Sequence, residues 1–420
     1  MSDAIDDVLS QALAQSLIDD KQRWAIFFDL DELDDRYARL EHAFPADVIH
    51  AVAIKANPLG ACLKHLVDSG TGLEAASWGE VELALAAGCP PQRIVFDSPA
   101  KTISELRRAL DAGIYINADN LSELERIDAL RPPDDARVGI RINPVVGAGA
   151  IDATSVATAS SKFGVSLVRQ QRALLEAFEN YPWLRGLHVH TGSQGLGLDL
   201  LVEGVRRCAD FAAKLDRKFG APRIDTVDIG GGLSVAYRPH EQAPSIEDYA
   251  GALRQKVPEL FDRRWQVITE FGRWLHGPCA FAASHVEYVK ESPSGTIATI
   301  HFGADLLLRR AYRPDQWFQK LTVHDPSGRL RTADETELTI AGPLCFAGDV
   351  LTDFERIPRP SPGDLIVAHD VGAYTFAMWS RYCSRPFPRI YGFRHHSGHA
   401  RFEVLHDGED ERDLIDFWGS

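Results

Sequence analysis

VIHAVAIKANP, residues 48–58, sets a run of β-branched and apolar residues against a lysine and then against Asn57 and Pro58, which end a strand. Lysine is normally excluded from interiors, so Lys55 at the edge of such a run needs a reason. The same texture recurs in TGLEAAS (71–77), RIVFDS (93–98), GIYINA (113–118), ARVGIRIN (136–143), RGLHVH (185–190), IDTVDIG (224–230) and QVITEF (266–271). Between these eight runs lie stretches with helical spacing, such as WGEVELALAAG (78–88) and DLLVEGVRRCADFAAKL (199–215), the first ending on a glycine suited to a helix C-cap. Strand and helix alternating eight times predict an α/β protein built on a (β/α)8 TIM barrel. A doubly wound open sheet is the alternative, but no G-x-G-x-x-G follows the first strand.

After about residue 280 the pattern changes. SHVEYVKES (284–292), GTIATIHFG (295–303), ETELTIAG (335–342), GDLIVAHD (363–370) and ARFEVLHD (400–407) have strand lengths and lie between Pro, Gly and Asp turns. The expected organisation is an N-terminal segment (1–44), a barrel (45–280) and an all-β domain (281–420). The early run WAIFFDLDEL (24–33) is a candidate strand of that last domain, which would make it discontinuous.

Composition narrows the partners. The 420 residues are 45% hydrophobic and 25% charged, the balance of an ordinary globular chain. A formal net charge of -15 argues against nucleic acid or an anionic membrane as the main partner, because both reward a basic face. The acidic N-terminus, MSDAIDDVLSQALAQSLIDD, has neither a basic n-region nor an apolar h-region, so a cytoplasmic protein handling small molecules is expected. Six scattered cysteines without C-x-x-C indicate neither a disulfide framework nor a zinc knuckle.

Active sites of this architecture lie at the C-terminal ends of the strands. Here the runs end in Lys55, Glu74, Asp97 and Ser98, Asn117, Arg141 and Asn143, His190, Gly230 and Glu270. Each alone is explained by a strand-end hydrogen bond or ion pair, but together they gather polar groups on one rim. DIGGGL (228–233) closes the seventh run with Gly230, Gly231 and Gly232, a turn able to wrap a phosphate where this fold recurrently holds one. In HVHTGS (188–193) two histidines stand at i and i+2, yet no third ligand from a metal motif accompanies them. His188 reads as a core histidine; His190 could lie against a planar ring, and Ser193 could donate to a phosphate oxygen. Glu270, in EFGR (270–273), could pair with Lys55 or hydrogen-bond a pyridine nitrogen, keeping an aldehyde cofactor a strong electron sink.

AIKANP (53–58), SKFG (161–164), GLHVHTGSQ (186–194), DIGGGL, EFGR, GPLCFAGDVL (342–351) and GAYTFAM (372–378) resemble, in order and over nearly the whole chain, a family of pyridoxal-phosphate decarboxylases. That family joins an alanine-racemase-like barrel to a β-domain and includes diaminopimelate and ornithine decarboxylases. The resemblance implies that Lys55 binds the cofactor aldehyde, His190 stacks on its ring and Glu270 holds the pyridinium proton. It places Ser193, Gly230, Gly231, Gly232, Gly272, Arg273 and Tyr374 around the cofactor. It also implies a homodimer with shared sites, in which Cys345 reaches in from the partner chain to return a proton to the α-carbon. Related racemases put an arginine at the pyridine nitrogen, so a glutamate there points to decarboxylation.

Departures from the family pattern bear on substrate. Diaminopimelate decarboxylases carry a glutamate after the motif cysteine and ornithine decarboxylases an aspartate, each receiving a distal ammonium; here the residue is Phe346. A phenylalanine cannot replace that charge. Arg309, Arg310 and Tyr312 fall where diaminopimelate enzymes bind a substrate carboxylate, with solvated surface charge as the plainer alternative for the arginines. Together with GAYTFAMWSRYCSRPFP (372–388), Phe346 is similar to decarboxylases of carboxylate siderophore pathways that act on citryl-diaminopropionate. Cys383 stands where the family usually has an asparagine. Diaminopimelate decarboxylation and a non-catalytic, pyridoxal-phosphate-binding regulator are the competing functions.

Overall fold

The computed structural model describes residues 2–293 and 295–419. They form two compact units, one of Arg36–Val235 with Gln242–Leu275, the other of the first 35 residues with Ala236–Glu241 and His276–Ser420.

In the first unit, among the described residues, eight parallel strands close into a barrel: Ile49–Ala53, Gly72–Ala75, Ile94–Phe96, Tyr115–Ala118, Val138–Asn143, Leu184–His188, Thr226–Asp228 and Gln266–Thr269. Closure comes from the last strand pairing with the first, Ile268 opposite Ile49 and Thr269 opposite His50. The strands are shorter than the apolar runs suggest. Ile54–Ala56 forms a single 3-10 turn, so Lys55 stands just beyond its strand. Asn57 makes that stop: its amide donates to the Ile54 carbonyl (2.9 Å) and its side chain accepts from Leu59 N (3.0 Å).

Ala51, Val95, Tyr115 and Ile268 come from four strands, including ones that are not neighbours, and still pack together. They can only meet inside the barrel, which is therefore a filled core. Tyr115 fits because Gly139 and Gly186, paired across adjacent strands, present no side chain to its ring. A Cβ at Gly186 would lie 2.0 Å from the Tyr115 hydroxyl oxygen.

The second unit is mostly sheet. A six-stranded sheet runs in the order Leu321–His324, Leu365–Ala368, Ala280–His285, Trp24–Asp29, Ile390–His396, His399–His406, and a four-stranded sheet comprises Tyr288–Ser292, Gly295–Thr299, Glu335–Ala341 and Val350–Pro358. The early apolar run thus supplies a central strand, antiparallel to Ala280–His285 and parallel to Ile390–His396. Phe27, Phe281, Tyr391 and Phe393 build its core, with Phe27 stacked on Phe281 (5.2 Å) and on Tyr391 (5.7 Å). Val8, Leu9 and Ala12 of the helix Ser2–Ala14 join the same core. Among the described residues, no helix is long and apolar enough to cross a membrane.

Gly186→Ala should destabilise the protein by about 1–3 kcal/mol through overpacking. Tyr115→Phe, which removes the hydroxyl that the new Cβ meets and which has no hydrogen-bond partner among the described residues, should recover part of that loss in denaturant unfolding.

Candidate active site

The C-terminal ends of the barrel strands bring together most of the residues expected there. Lys55 Nζ lies 2.5 Å from Glu74 Oε2, with the lysine side chain 35% exposed and the glutamate fully buried. Its ion-pair partner is therefore Glu74 from the second strand. Burial pushes Glu74 up to about 8, with Glu270 and Asp97 adding to the shift and Lys55 opposing it.

Glu270 follows the last strand and is buried. Burial by itself would raise its carboxyl, but His188 first, then Lys55 and His190, outweigh it and hold the group well below the usual carboxylate range. Glu270 Oε2 lies 3.6 Å from His188 Nε2, and Oε1 has no hydrogen-bond partner among the described residues. On the other side of the ring, His188 Nδ1 lies 3.6 Å from Asp97 Oδ1. Asp97 Oδ2 in turn accepts from Arg141 Nη1 at 3.1 Å. Sequence reasoning left Glu74 and Asp97 as ordinary strand-end acids. What could have marked them is an acidic residue inside a run otherwise apolar enough for a strand buried on both faces.

His190 lies past the strand end. Its Nδ1 accepts from Gly231 N (3.2 Å), which leaves the ring's other nitrogen to carry the proton. Burial, aided by Arg141, Lys55 and His188, pushes this imidazole down to about 3 and keeps it neutral.

The glycine run is more occupied than an open phosphate turn. Gly230 N donates to Asp228 Oδ1 (2.9 Å) and Gly231 N to His190, so two of its three amides already have partners. The glycines also serve close packing: a Cβ at Gly231 would lie 2.4 Å from the Glu270 carbonyl oxygen, and one at Gly232 2.2 Å from that of Gly192. Arg273 Nε donates to Ser193 Oγ at 3.2 Å, joining two residues expected at a phosphate. Gly272 lets this loop lie on the end of the first strand and the turn after it, since its Cβ would meet that of Ala56 at 2.7 Å and that of Ala53 at 3.1 Å. Other rim residues are structural: Asn143 holds Val145 N and the Thr158 carbonyl, and the Ser98 carbonyl accepts from buried Lys101.

The remaining expected residues belong to the sheet unit, where two contact groups include several of them. Arg309 lies over the rings of Trp317 (4.5 Å) and Tyr374 (5.0 Å). Tyr312 stacks on Phe346 (5.8 Å between centroids), and Phe346 meets Tyr382 edge-on at 6.0 Å. Tyr374 has φ +56°, a left-handed conformation that a bulky residue adopts only when its surroundings impose it. Cys345 and Cys383 are exposed free thiols. Arg310 is not a solvated surface charge: it is buried and donates to the carbonyls of Leu351 and Gln319, a structural clamp.

Known proteins resemble this chain over most of its length. Residues 30–277 match the family described as pyridoxal-dependent decarboxylase, pyridoxal binding domain. The chain is 30% identical to a diaminopimelate decarboxylase of Methanothermobacter thermautotrophicus, over 92% of this chain and 90% of that protein. It is also 30% identical to the L-glutamyl-[BtrI acyl-carrier protein] decarboxylase of Niallia circulans, over 83% of each. The crystal structure of diaminopimelate decarboxylase from Helicobacter pylori complexed with L-lysine superimposes with a TM-score of 0.83 at 25% identity, covering 97% of this chain and 98% of that one.

The His188 ring carries a pH prediction. Burial opposes its charge, but Asp97, Glu270 and Asp228 together raise it from 6.5 to about 9. A folded-state value above the unfolded one gives stability that is complete below about pH 6.5 and lost as pH rises through about 9; the raised value of Glu74 acts in the same direction at lower pH. Thermal unfolding of the cofactor-free protein should show stability falling by on the order of 1–3 kcal/mol between pH 6.5 and 9. His188→Gln should flatten the upper part of that decline.

Proposed function

The chain belongs to the pyridoxal-dependent decarboxylases, and on that premise we propose that it removes the α-carboxylate of an amino-acid conjugate whose far end carries no free ammonium, with citryl-diaminopropionate of carboxylate siderophore assembly as first candidate. The protein is a carboxy-lyase acting on a small molecule and using pyridoxal phosphate.

The barrel's donor set fits that cofactor. Lys55 offers a partly exposed amine, the buried Glu270 keeps Oε1 without a hydrogen-bond partner among the described residues, and Arg273 and Ser193 sit together as anion donors. When bound, the cofactor supplies an electron sink for the pair left on the α-carbon as carbon dioxide departs. In this proposal Lys55 holds the aldehyde, with Glu74 keeping the amine in place between turnovers. Glu270, held ionised, accepts a hydrogen bond from the pyridinium and so keeps that proton where it is needed. His190, neutral and fixed by Gly231, presents an uncharged face to a planar ring. Ser193 and Arg273 bind phosphate alongside Gly230–Gly232 and Gly272, and the glycines also permit the close backbone approaches described above. Cys345 returns the proton to the α-carbon, reaching in from the second chain of a homodimer.

The observation that carries the substrate reading is Phe346. In the place where related enzymes present a carboxylate to a distal ammonium, this chain has a ring stacked on Tyr312 and edged by Tyr382. Leaving a buried charge without its partner is disfavoured enough to discriminate strongly among substrates. An acidic far end would be met by Arg309, which lies over Trp317 and Tyr374. The Niallia circulans relative, by its name, acts on glutamate joined to an acyl-carrier protein, which supports acceptance of conjugated amino acids in this family.

Carbon dioxide release should be efficient with citryl-diaminopropionate and slow with lysine, ornithine and diaminopimelate; rapid turnover of free diaminopimelate would replace this reading with lysine biosynthesis. Phe346→Glu should shift kcat/KM toward diaminopimelate by about tenfold or more. The purified protein should show a visible cofactor band that borohydride abolishes and Lys55→Ala lacks; a protein that stays colourless with pyridoxal phosphate contradicts the assignment. Mixing Lys55→Ala with Cys345→Ala chains should restore part of the activity if the sites are shared across a dimer.

A further inference from the structure

Four acids are buried in the barrel interior: Glu74, Asp97, Asp228 and Glu270. They do not share one fate. Burial raises Glu74 and Asp228, while Asp97 and Glu270 stay low against the same burial. The two that stay low are the two that flank His188, each 3.6 Å from a different ring nitrogen. At that distance the contacts are ion pairs rather than hydrogen bonds, and neither ring nitrogen has a hydrogen-bond partner among the described residues. A neutral core histidine would satisfy its ring nitrogens by hydrogen bonds. A neutral ring would also turn a lone pair toward one of the two carboxylates, whereas a charged ring serves both.

The surroundings complete an alternating order. Arg141 donates to Asp97 (3.1 Å), Asp97 faces His188, and His188 faces Glu270, giving plus, minus, plus, minus along four fully or nearly buried side chains. Lys55 and His190 also bear on Glu270, but Lys55 is paired at 2.5 Å with Glu74, and His190 is held neutral. Asp228 is occupied by Asn117 Nδ2 and Gly230 N, both at 2.9 Å. The close cation with no other carboxylate between it and Glu270 is His188.

We propose that His188 and Asp97 are positioning residues, a buried charge relay from Arg141 that keeps Glu270 a carboxylate and thereby keeps the cofactor's pyridine nitrogen protonated. This rests on Glu270 being the pyridine's partner. The relay assigns a function to His188 beyond filling the core, and it explains an aspartate at position 97 in an otherwise apolar strand end. It also accounts for Glu270 holding its charge beside three other acids.

The test is the protonation state itself, read in the holoenzyme by 15N NMR of pyridine-labelled pyridoxal phosphate and of labelled histidine. The wild-type pyridine nitrogen should be protonated, and both ring nitrogens of His188 should carry protons. A single-tautomer, neutral His188 in the wild-type holoenzyme overturns the relay without any variant being needed. In His188→Gln the pyridine signal should move toward the neutral position, with kcat lowered about tenfold to a hundredfold and KM within about twofold. Asp97→Asn, which keeps the size of the side chain beside Arg141, should move both quantities in the same direction and decides the matter if His188→Gln does not fold. Unchanged pyridine signals and kcat in these variants, together with a shifted signal in Glu270→Gln, would overturn the relay while leaving the Glu270 assignment standing. An unshifted signal in Glu270→Gln would remove that assignment and the relay with it.

Discussion

Pairing of the last barrel strand with the first is the constraint on which the site depends. Ile268 opposite Ile49 and Thr269 opposite His50 close the ring, and the seam is tied further by His50 Nδ1 and Thr269 Oγ1 at 2.9 Å. Parallel strands need every backbone group paired within the ring, so closure leaves no edge. It also brings the segment after strand eight onto the segment after strand one. Gly272 rests on Ala53 and Ala56 because it has no Cβ, and this close approach joins the EFGR and AIKA segments.

Closure also dries the interior, and dryness governs the electrostatics. A carboxylate taken out of water keeps its charge only beside a cation or several donors. Asp97 has Arg141 and His188, and Glu270 has His188, and both stay low; Glu74, with only Lys55 against its burial, and Asp228, with two neutral donors, are raised. The same barrel thus holds acids of similar chemistry in different protonation states. That separation is the basis for assigning a proton holder and a charge holder within one site.

Much of this was legible in the chain. Eight apolar runs with helical spacing between them specify a parallel barrel, because fully buried strands read as continuous apolar segments. The ordered motifs pointed to the cofactor class through their resemblance to those of pyridoxal-phosphate decarboxylases. Legibility failed where partners are set by distance. Glu270 was the ion-pair partner the sequence offered for Lys55, and only the arrangement of strand ends brings Glu74 to it instead. Arg310 resembled its neighbour Arg309 in sequence, but the short helix Leu308–Tyr312 that carries them buries one against backbone carbonyls and lays the other over Trp317 and Tyr374.

By itself, the sequence determined the class of fold and of reaction, because periodicity and motif order are properties of the chain that need no coordinates. It also marked Phe346 as a departure, since the absence of a charge is visible in one letter. The tertiary structure alone decided which acids stay ionised, that His188 lies between two of them, and that two of the three glycine amides are already engaged. These depend on separations of a few ångströms between residues far apart in the chain and on how completely water is excluded there. Neither quantity can be read from the order of residues.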